Sequence, residues 1–524
     1  MQAPDAPGTA GLREDALWEV LRIRASRILL AGTSFLICGL FLGLFAGAYL
    51  TLGSQLIENT NTTDADLQSE DQRHAIKLAM VAKQIRTGEG EFADQSQLEG
   101  GLVRQLPHYT DGVMAPLWPW LGSFLLPDEA AGQVGGSRIS EAERAQFIRG
   151  KWFLITIGCA FLVLCGVILL HFFSQPAVFI ILLAGGLGAI LPRAAFYQPE
   201  PLSYILLAIS WGLVLFLLGR NTLPGYLLLG VSLGLAYLAK TSIQPLVGGF
   251  LLATTLRWFL AIRSCRGGNP VQNGWNPTVH GIGLMLLILT FCLVTGPRLI
   301  HSKRQFGSMT HDYPSYWMWT DRIEDGYRWM EQHGDAETIE AAGKQTPSLF
   351  KYLGSHTLGD IRNRLVGGTA EVVGRFFSPP KARRDQVPAE PWNALLEHRG
   401  GYLGILSLIA IGMGAQYILL TGTKPRLPAA RGMSSAVFII ATFTLAGVTY
   451  GWYSPIAAGD HFMLSLYLPL VLTLVWLTES LHREIPKTRL AGRLASHCYI
   501  GSMGLVCGAL IWRTIELLSR PEFA

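Results

Sequence analysis

The stretch MAPLWPWLGSFLL, Met114–Leu126, decides how this chain is threaded. It is apolar but short, and Pro116 and Pro119 interrupt it. A helix needs about 20 apolar residues to cross about 30 Å of hydrocarbon. Whether this stretch crosses fixes the side on which everything after it lies. Eleven other runs are long enough to span: 28–52, 152–173, 176–192, 201–218, 225–241, 243–263, 279–299, 401–421, 433–453, 462–479 and 497–518. Short loops rich in Lys and Arg mark the cytoplasmic side. Arg22, Arg24 and Arg27 precede the first run and place the N-terminus inside. With eleven spans, the loops RSCRGG (from Arg263), TGTKPRLPAARG (Thr421–Gly432) and HREIPKTRLAGR (His482–Arg493) fall inside too. With twelve they fall outside. The charges therefore predict eleven spans, with Met114–Leu126 a re-entrant or interfacial element on the outer face.

Composition agrees with this reading. Half of the 524 residues are hydrophobic and 15% are charged, which points to an all-α polytopic membrane protein. The net charge of +5 is modest and its basic residues cluster beside apolar runs, a topology signal that predicts no nucleic-acid partner. Of the seven cysteines, Cys38, Cys159, Cys165, Cys292, Cys498 and Cys507 lie in apolar runs and Cys265 in a short basic loop. That placement predicts neither disulfides nor a CxxC metal site. The first run continues to about Leu52 and reads as a retained transmembrane helix rather than a cleaved signal. The chain thus divides into an amphipathic cytoplasmic N-terminus (1–27), a membrane core (28–299) holding a first outer segment (53–151), a second outer segment (300–400), and C-terminal helices (401–524).

Three short loops join the two long segments on the outer face: 193–200, AKTSIQP (Ala239–Pro245) and WYSPIAAGDHF (Trp452–Phe462). In the first segment, Ser69 and Gln72 fit a capping box. The stripe Ala75, Ile76, Ala79, Met80 and Ala82 then predicts an amphipathic helix along the outer membrane surface, ending near Gly88. Glu70 and Asp71 occupy its first turn. Acids there ordinarily complement the helix dipole. The functional alternative holds Asp71 at the boundary as a general base facing a hydroxyl. Asp64, Asp66 and Asp111 are rival carboxylates, and NTT at Asn61 is a formal glycosylation sequon.

Glu200 stands between Pro199 and Pro201 and shares its loop with Arg193 and Tyr197. A salt bridge to Arg193 is its ordinary reading; a role in an outer-face cavity is the other. Lys240 ends the run GYLLLGVSLGLAYLAK (Gly225–Lys240), where it could snorkel or bind a lipid phosphate. Arg298, Lys303 and Arg304 follow the seventh run on the same side, a basic rim suited to an anionic ligand. THDYPSYWMWTDRIEDGYRWM (Thr310–Met330) is rich in aromatic residues, which serve either an interfacial belt or sugar stacking. Asp460 and His461 could act as an acid–base couple or as a helix start. The twelve histidines show no HxxxH or HExxH spacing, so no metal site is predicted.

Six stretches, in order, resemble the GT-C superfamily of integral-membrane glycosyltransferases, within it the protein O-mannosyltransferases and the aminoarabinose transferases acting on lipid A. SEDQRHAIKLA is similar to the first-loop acidic motif, without its usual aromatic after the acid. APLWPWLGSFLL resembles PPLYPLLLAL, and YQPEPLSYILLAISW resembles EPLxxLLLAL. GVSLGLAYLAKTS resembles GLxLGLAxLTK, and GPRLIHSKRQFGSM resembles PWxxRNxxxFG. GDHFMLSLYLPLV resembles GxRYLLPLxPLL, with His461 where Arg is usual. The resemblance implies a GT-C-like bundle of about eleven transmembrane helices with two large extracytoplasmic loops. It implies a sugar donor on polyprenyl phosphate and attack by an acceptor hydroxyl on a glycan, lipid or protein, with inversion. Asp71 matches the family's base and Glu200 its second acid; Lys240, with Arg298 and Arg304, would meet the leaving phosphate. The resemblance leaves room for a divalent cation and implies no other cofactor. It implies a multi-pass protein of a bacterial inner membrane with its site facing outward. A transporter or flippase for a lipid-linked or anionic substrate, or a polysaccharide ligase or polymerase, are the competing expectations.

Overall fold

The computed structural model describes residues 36–58, 70–89, 102–126, 141–266, 276–377, 399–421, 429–453, 456, 460–485 and 490–520. Asn61, Asp64, Asp66 and Ser69, singled out in the sequence, lie outside the described residues, as do the side chains of Glu70, Asp71, Asp460 and His461. Among the described residues there is no strand. In chain order the helices are α1 (Leu36–Glu58), α2 (Glu70–Thr87), α3 (Leu117–Leu125), α4 (Glu141–Leu169), α5 (Gln175–Ala194), α6 (Glu200–Gly219), α7 (Leu223–Ala239), α8 (Gln244–Arg266) and α9 (Pro277–Phe306). The second polar segment forms α10 (Tyr313–Trp317), α11 (Ile323–Gln332), α12 (Ala336–Ala342), α13 (Leu349–Ser355) and α14 (Leu358–Phe377). The chain ends with α15 (Arg399–Thr421), α16 (Ala429–Tyr453), α17 (Asp460–Leu464), α18 (Tyr467–Glu484) and α19 (Leu490–Ser519).

The protein is an all-α polytopic membrane protein. Among the described residues, ten helices are long and apolar enough to cross a membrane, and α7, at 17 residues, is a shorter apolar helix. Over their described residues, all eleven apolar runs read from the sequence are helical. α3 has nine residues and rises about 14 Å, less than half of the hydrocarbon thickness. It packs on α2, burying Leu117 and Trp118. The apolar stripe of α2 is correspondingly covered by protein: Ala75, Ile76 and Ala79 are buried. That differs from a helix laid on lipid, because α3 supplies the apolar surface the stripe needs.

α4 and α9 outrun the bilayer. At 29 and 30 residues they extend about 45 Å, against about 30 Å of hydrocarbon. The excess lifts polar turns clear of the membrane: Glu143, Gln146 and Lys151 start α4, and Arg298, His301, Lys303 and Arg304 end α9. α5 is fully buried over a π-helical stretch, Gly186–Ile190, before Pro192 and Arg193.

The aromatic stretch folds into a satellite core rather than a belt. Phe306, Tyr313, Trp317, Trp329 and Ile456 pack together, roofing the end of α9. Arg364 of α14 fastens this roof to the bundle. Its guanidinium lies over Tyr352 (4.9 Å) and Trp452 (4.8 Å). It donates to the carbonyls of Met318, Thr320 and Trp452. α14 then lies along α16 so closely that a Cβ on Gly368 would sit 1.9 Å from the Gly451 carbonyl oxygen. Gly368→Ala must push the helices apart, and overpacking of this kind costs about 1–3 kcal/mol. The expected outcome is a lower melting temperature in detergent, whereas Gly367→Ala, with nothing within 4 Å, leaves it unchanged or raises it.

Candidate functional site

The five pieces of chain that the sequence reading sets on one face meet, in their described residues, at one end of the bundle. The site starts at the first turns of α2, where three consecutive side chains grip three different elements. Gln72 Oε1 accepts the backbone N–H of Tyr197 at 2.9 Å. Arg73 pairs with Glu143 of α4 at 3.7 Å, and His74 Nε2 meets Asp111 Oδ2 at 2.6 Å. Consecutive residues on a helix point about 100° apart, so one turn can reach in three directions. Gln72, Arg73 and His74 stand where the resembled motif has an aromatic after its acid, and each has a structural partner. The clamp carries the backbone of Glu70 and Asp71 to the loop that leads into Glu200.

Tyr197 is a strut of this clamp. It is fully buried, with Trp118 at 4.8 Å and Phe147 at 5.8 Å between ring centroids. Its hydroxyl accepts from Gln146 at 3.0 Å. A Cβ on Gly150 would come within 2.1 Å of the ring, so only glycine fits beneath it. With no exposed surface, Tyr197 packs and does not face a substrate.

Glu200 opens α6, with Pro201 behind it in the first turn. Its carboxylate receives Lys240 Nζ at 2.6 Å. Lys240 caps the C-terminus of α7, and its ammonium also lies 4.3 Å from the centre of the Phe462 ring. The pair is 10% and 17% exposed at its two side chains, shielded enough for its charges to be strongly coupled. Phe462 brings α17 to the site, so the backbone of Asp460 and His461 lies there too. Arg193 is half-buried and Arg304 is exposed.

The second polar segment closes over this pair. Thr241, next to Lys240, donates to Asp312 Oδ2 at 2.7 Å. Tyr453 donates to the Pro314 carbonyl, and Tyr450 to that of Ser242. Arg298 is buried beneath, its guanidinium over the Tyr237 ring at 4.6 Å. Burial pushes the Asp312 carboxyl up to about 6, against the pull of Arg298 and the Thr241 hydrogen bond. Burial, then Arg298, pushes His311 down to about 4, so its ring, stacked on Phe306, is neutral. The Tyr313 N–H donates to the Gly112 carbonyl at 2.8 Å, joining the two long segments.

Asp111 is a poor candidate base. Burial raises its carboxyl, but His74 and the N–H groups of Met114 and Val113 outweigh that and hold it below the usual range. Sequence reasoning found Glu200, Lys240 and Arg298 but missed Thr241, His311 and Asp312. The HD pair was legible, but nothing local marks it as folding back over Thr241.

The chain matches no protein-family model and no curated protein sequence. Among the described residues, no group of three or more His, Cys, Asp and Glu side chains could hold a metal ion. Lys240 already compensates the charge by which Glu200 would attract a cation. What the arrangement offers is acids and bases at one end of a membrane bundle, under an aromatic roof.

Two outcomes follow from this geometry. Glu200→Gln leaves Lys240 without its counter-ion, a change that costs about 3–5 kcal/mol for a buried pair. Thermal unfolding should show that loss, and the double variant Glu200→Gln/Lys240→Met should recover much of it. The folded pKa of Asp111 lies below its unfolded value, so its stabilisation is complete above the unfolded pKa and is lost as pH falls through the folded one. Asp111→Asn should therefore lower the melting temperature at pH 7, and the gap from wild type should narrow below about pH 4.

Proposed function

We propose that this chain is a GT-C-type glycosyltransferase that moves a sugar from a polyprenyl-phosphate donor to an acceptor hydroxyl, with inversion, on the extracytoplasmic face of a bacterial inner membrane. The observation that carries the reading is the Glu200–Lys240 pair at 2.6 Å. The two residues come from two separate motif-like stretches, and the fold brings them into contact. The clamp at Gln72–His74 ties the third such stretch, the one that contains Asp71, to the loop that leads into Glu200.

In this mechanism Asp71 takes the proton of the acceptor hydroxyl as its oxygen attacks the anomeric carbon. Positioned proton transfer of this kind contributes about 10²–10⁴-fold in rate. The anomeric C–O bond breaks and its electron pair leaves on the lipid phosphate. Lys240, held by Glu200, and Arg304 on the exposed rim supply positive charge to that developing anion. The isoprenoid tail stays in the bilayer, and the acceptor is a glycan, lipid or protein. A transporter reading fares less well, because transporters tend to hold charges at mid-bilayer. Glu200, Lys240 and Asp312 lie instead at helix ends.

Asp71→Asn should reduce sugar transfer from polyprenyl-phosphate donors in proteoliposomes by at least about 100-fold. A cysteine at Ser355, an exposed position, should still react with an impermeant maleimide from the extracytoplasmic side in the same variant. Full transfer activity would remove Asp71 as the base, and labelling from the cytoplasmic side alone would reverse the sidedness.

A further inference from the structure

Arg298 and Asp312 both reach the C-terminal end of α7, one at Tyr237 and the other at Thr241, and no ion pair joins them among the described residues. Each is held by a separate anchor. The guanidinium lies over the Tyr237 ring, and the carboxylate takes its hydrogen bond from Thr241. Arg298 is 2% exposed, and its Nη1 has no hydrogen-bond partner. Asp312 uses Oδ2 on Thr241, and its Oδ1 has no partner among the described residues. Opposite charges held at one helix end attract one another, and shielding from water strengthens the pull. A buried guanidinium N–H left unpaired is costly enough to call for a reason.

We propose that Arg298 and Asp312 form the subsite that recognises neighbouring ring hydroxyls of the donor sugar. Nη1 donates to one hydroxyl oxygen, and Oδ1 accepts the proton of the next. This rests on the glycosyltransferase reading above and deepens it. A hydroxyl both donates and accepts, so a vicinal pair bridges a cation and an anion without charge conflict. A phosphate placed here would set its oxygens against the Asp312 carboxylate, a like-charge contact, so Arg298 serves the sugar here in place of the leaving phosphate that the resemblance implies for it. Thr241 adjoins Lys240, so a sugar seated here lies directly beside a phosphate at Lys240. A site built to hydrogen-bond a hydroxyl rejects ligands that lack it, because its polar groups are then stranded.

The test is equilibrium binding to the full chain in nanodiscs. The probes are decaprenyl phosphate and its mannosyl, glucosyl and galactosyl esters. Wild type should bind at least one glycosylated lipid more tightly than bare lipid phosphate. Asp312→Asn and Arg298→Gln should each lower that ratio by about tenfold to a hundredfold, the loss of a hydrogen bond to a charged group. Affinity for bare decaprenyl phosphate should hold in both, which also shows that they fold. Thr241→Val keeps the carboxylate but frees it, and should lower the ratio less. An unchanged ratio, or equal loss for both kinds of lipid, overturns the subsite while leaving the glycosyltransferase reading intact. So does a wild type that binds bare lipid phosphate as tightly as every ester. A wild type that binds no lipid phosphate removes the glycosyltransferase reading, and the subsite with it.

Discussion

A carboxylate and an ammonium held 2.6 Å apart at the edge of a bilayer organise this protein. Neither Glu200 nor Lys240 is stable there alone, because a shielded charge without a counter-ion costs several kcal/mol. Together they tie the start of α6 to the end of α7. Lys240 then places Thr241, Thr241 places Asp312, and Asp312 draws the second polar segment down over the site. The ring of Phe462 on the other side of the ammonium brings in α17. Polar pieces far apart in sequence are thus assembled around one charge pair.

The first polar segment joins by the same rule. Gln72, Arg73 and His74 carry polar groups into a closely packed region, and each finds a partner on a different element. As a motif, the three residues depart from the family pattern they resemble. As structure, they form the clamp that orients α2. The lowered carboxyl of Asp111 and the raised carboxyl of Asp312 show how far environment separates two aspartates in neighbouring segments. One is satisfied by an imidazole and two backbone N–H groups. The other has a single hydroxyl and a cation that does not reach it.

Aromatic residues do the mechanical work of the roof. Phe306, Tyr313, Trp317 and Trp329 form a core outside the apolar bundle, and Arg364 locks it to α14 and α16 through carbonyl contacts. A roof with its own core can hold His311 and Asp312 in place over the helix ends, where a flexible loop could not.

Length, hydropathy and loop charge determined the helix count, because crossing hydrocarbon demands about 20 apolar residues whatever their partners. They also separated Met114–Leu126 from the spans: α3 has nine residues in helix. Sequence order alone placed Glu200, Lys240 and Arg298 at span ends. It left open which acid meets which base: the ordinary reading gave Glu200 a salt bridge to Arg193, and the fold brings it Lys240. It also left Tyr197 looking like a site residue, where the fold buries it against Gly150. Only the tertiary structure decided these points. Helix formation in lipid is local and so can be read from a window of sequence. The pairing of polar groups between helix ends depends on how distant segments pack, and Thr241 and Asp312, 71 residues apart, carry no local mark of their contact.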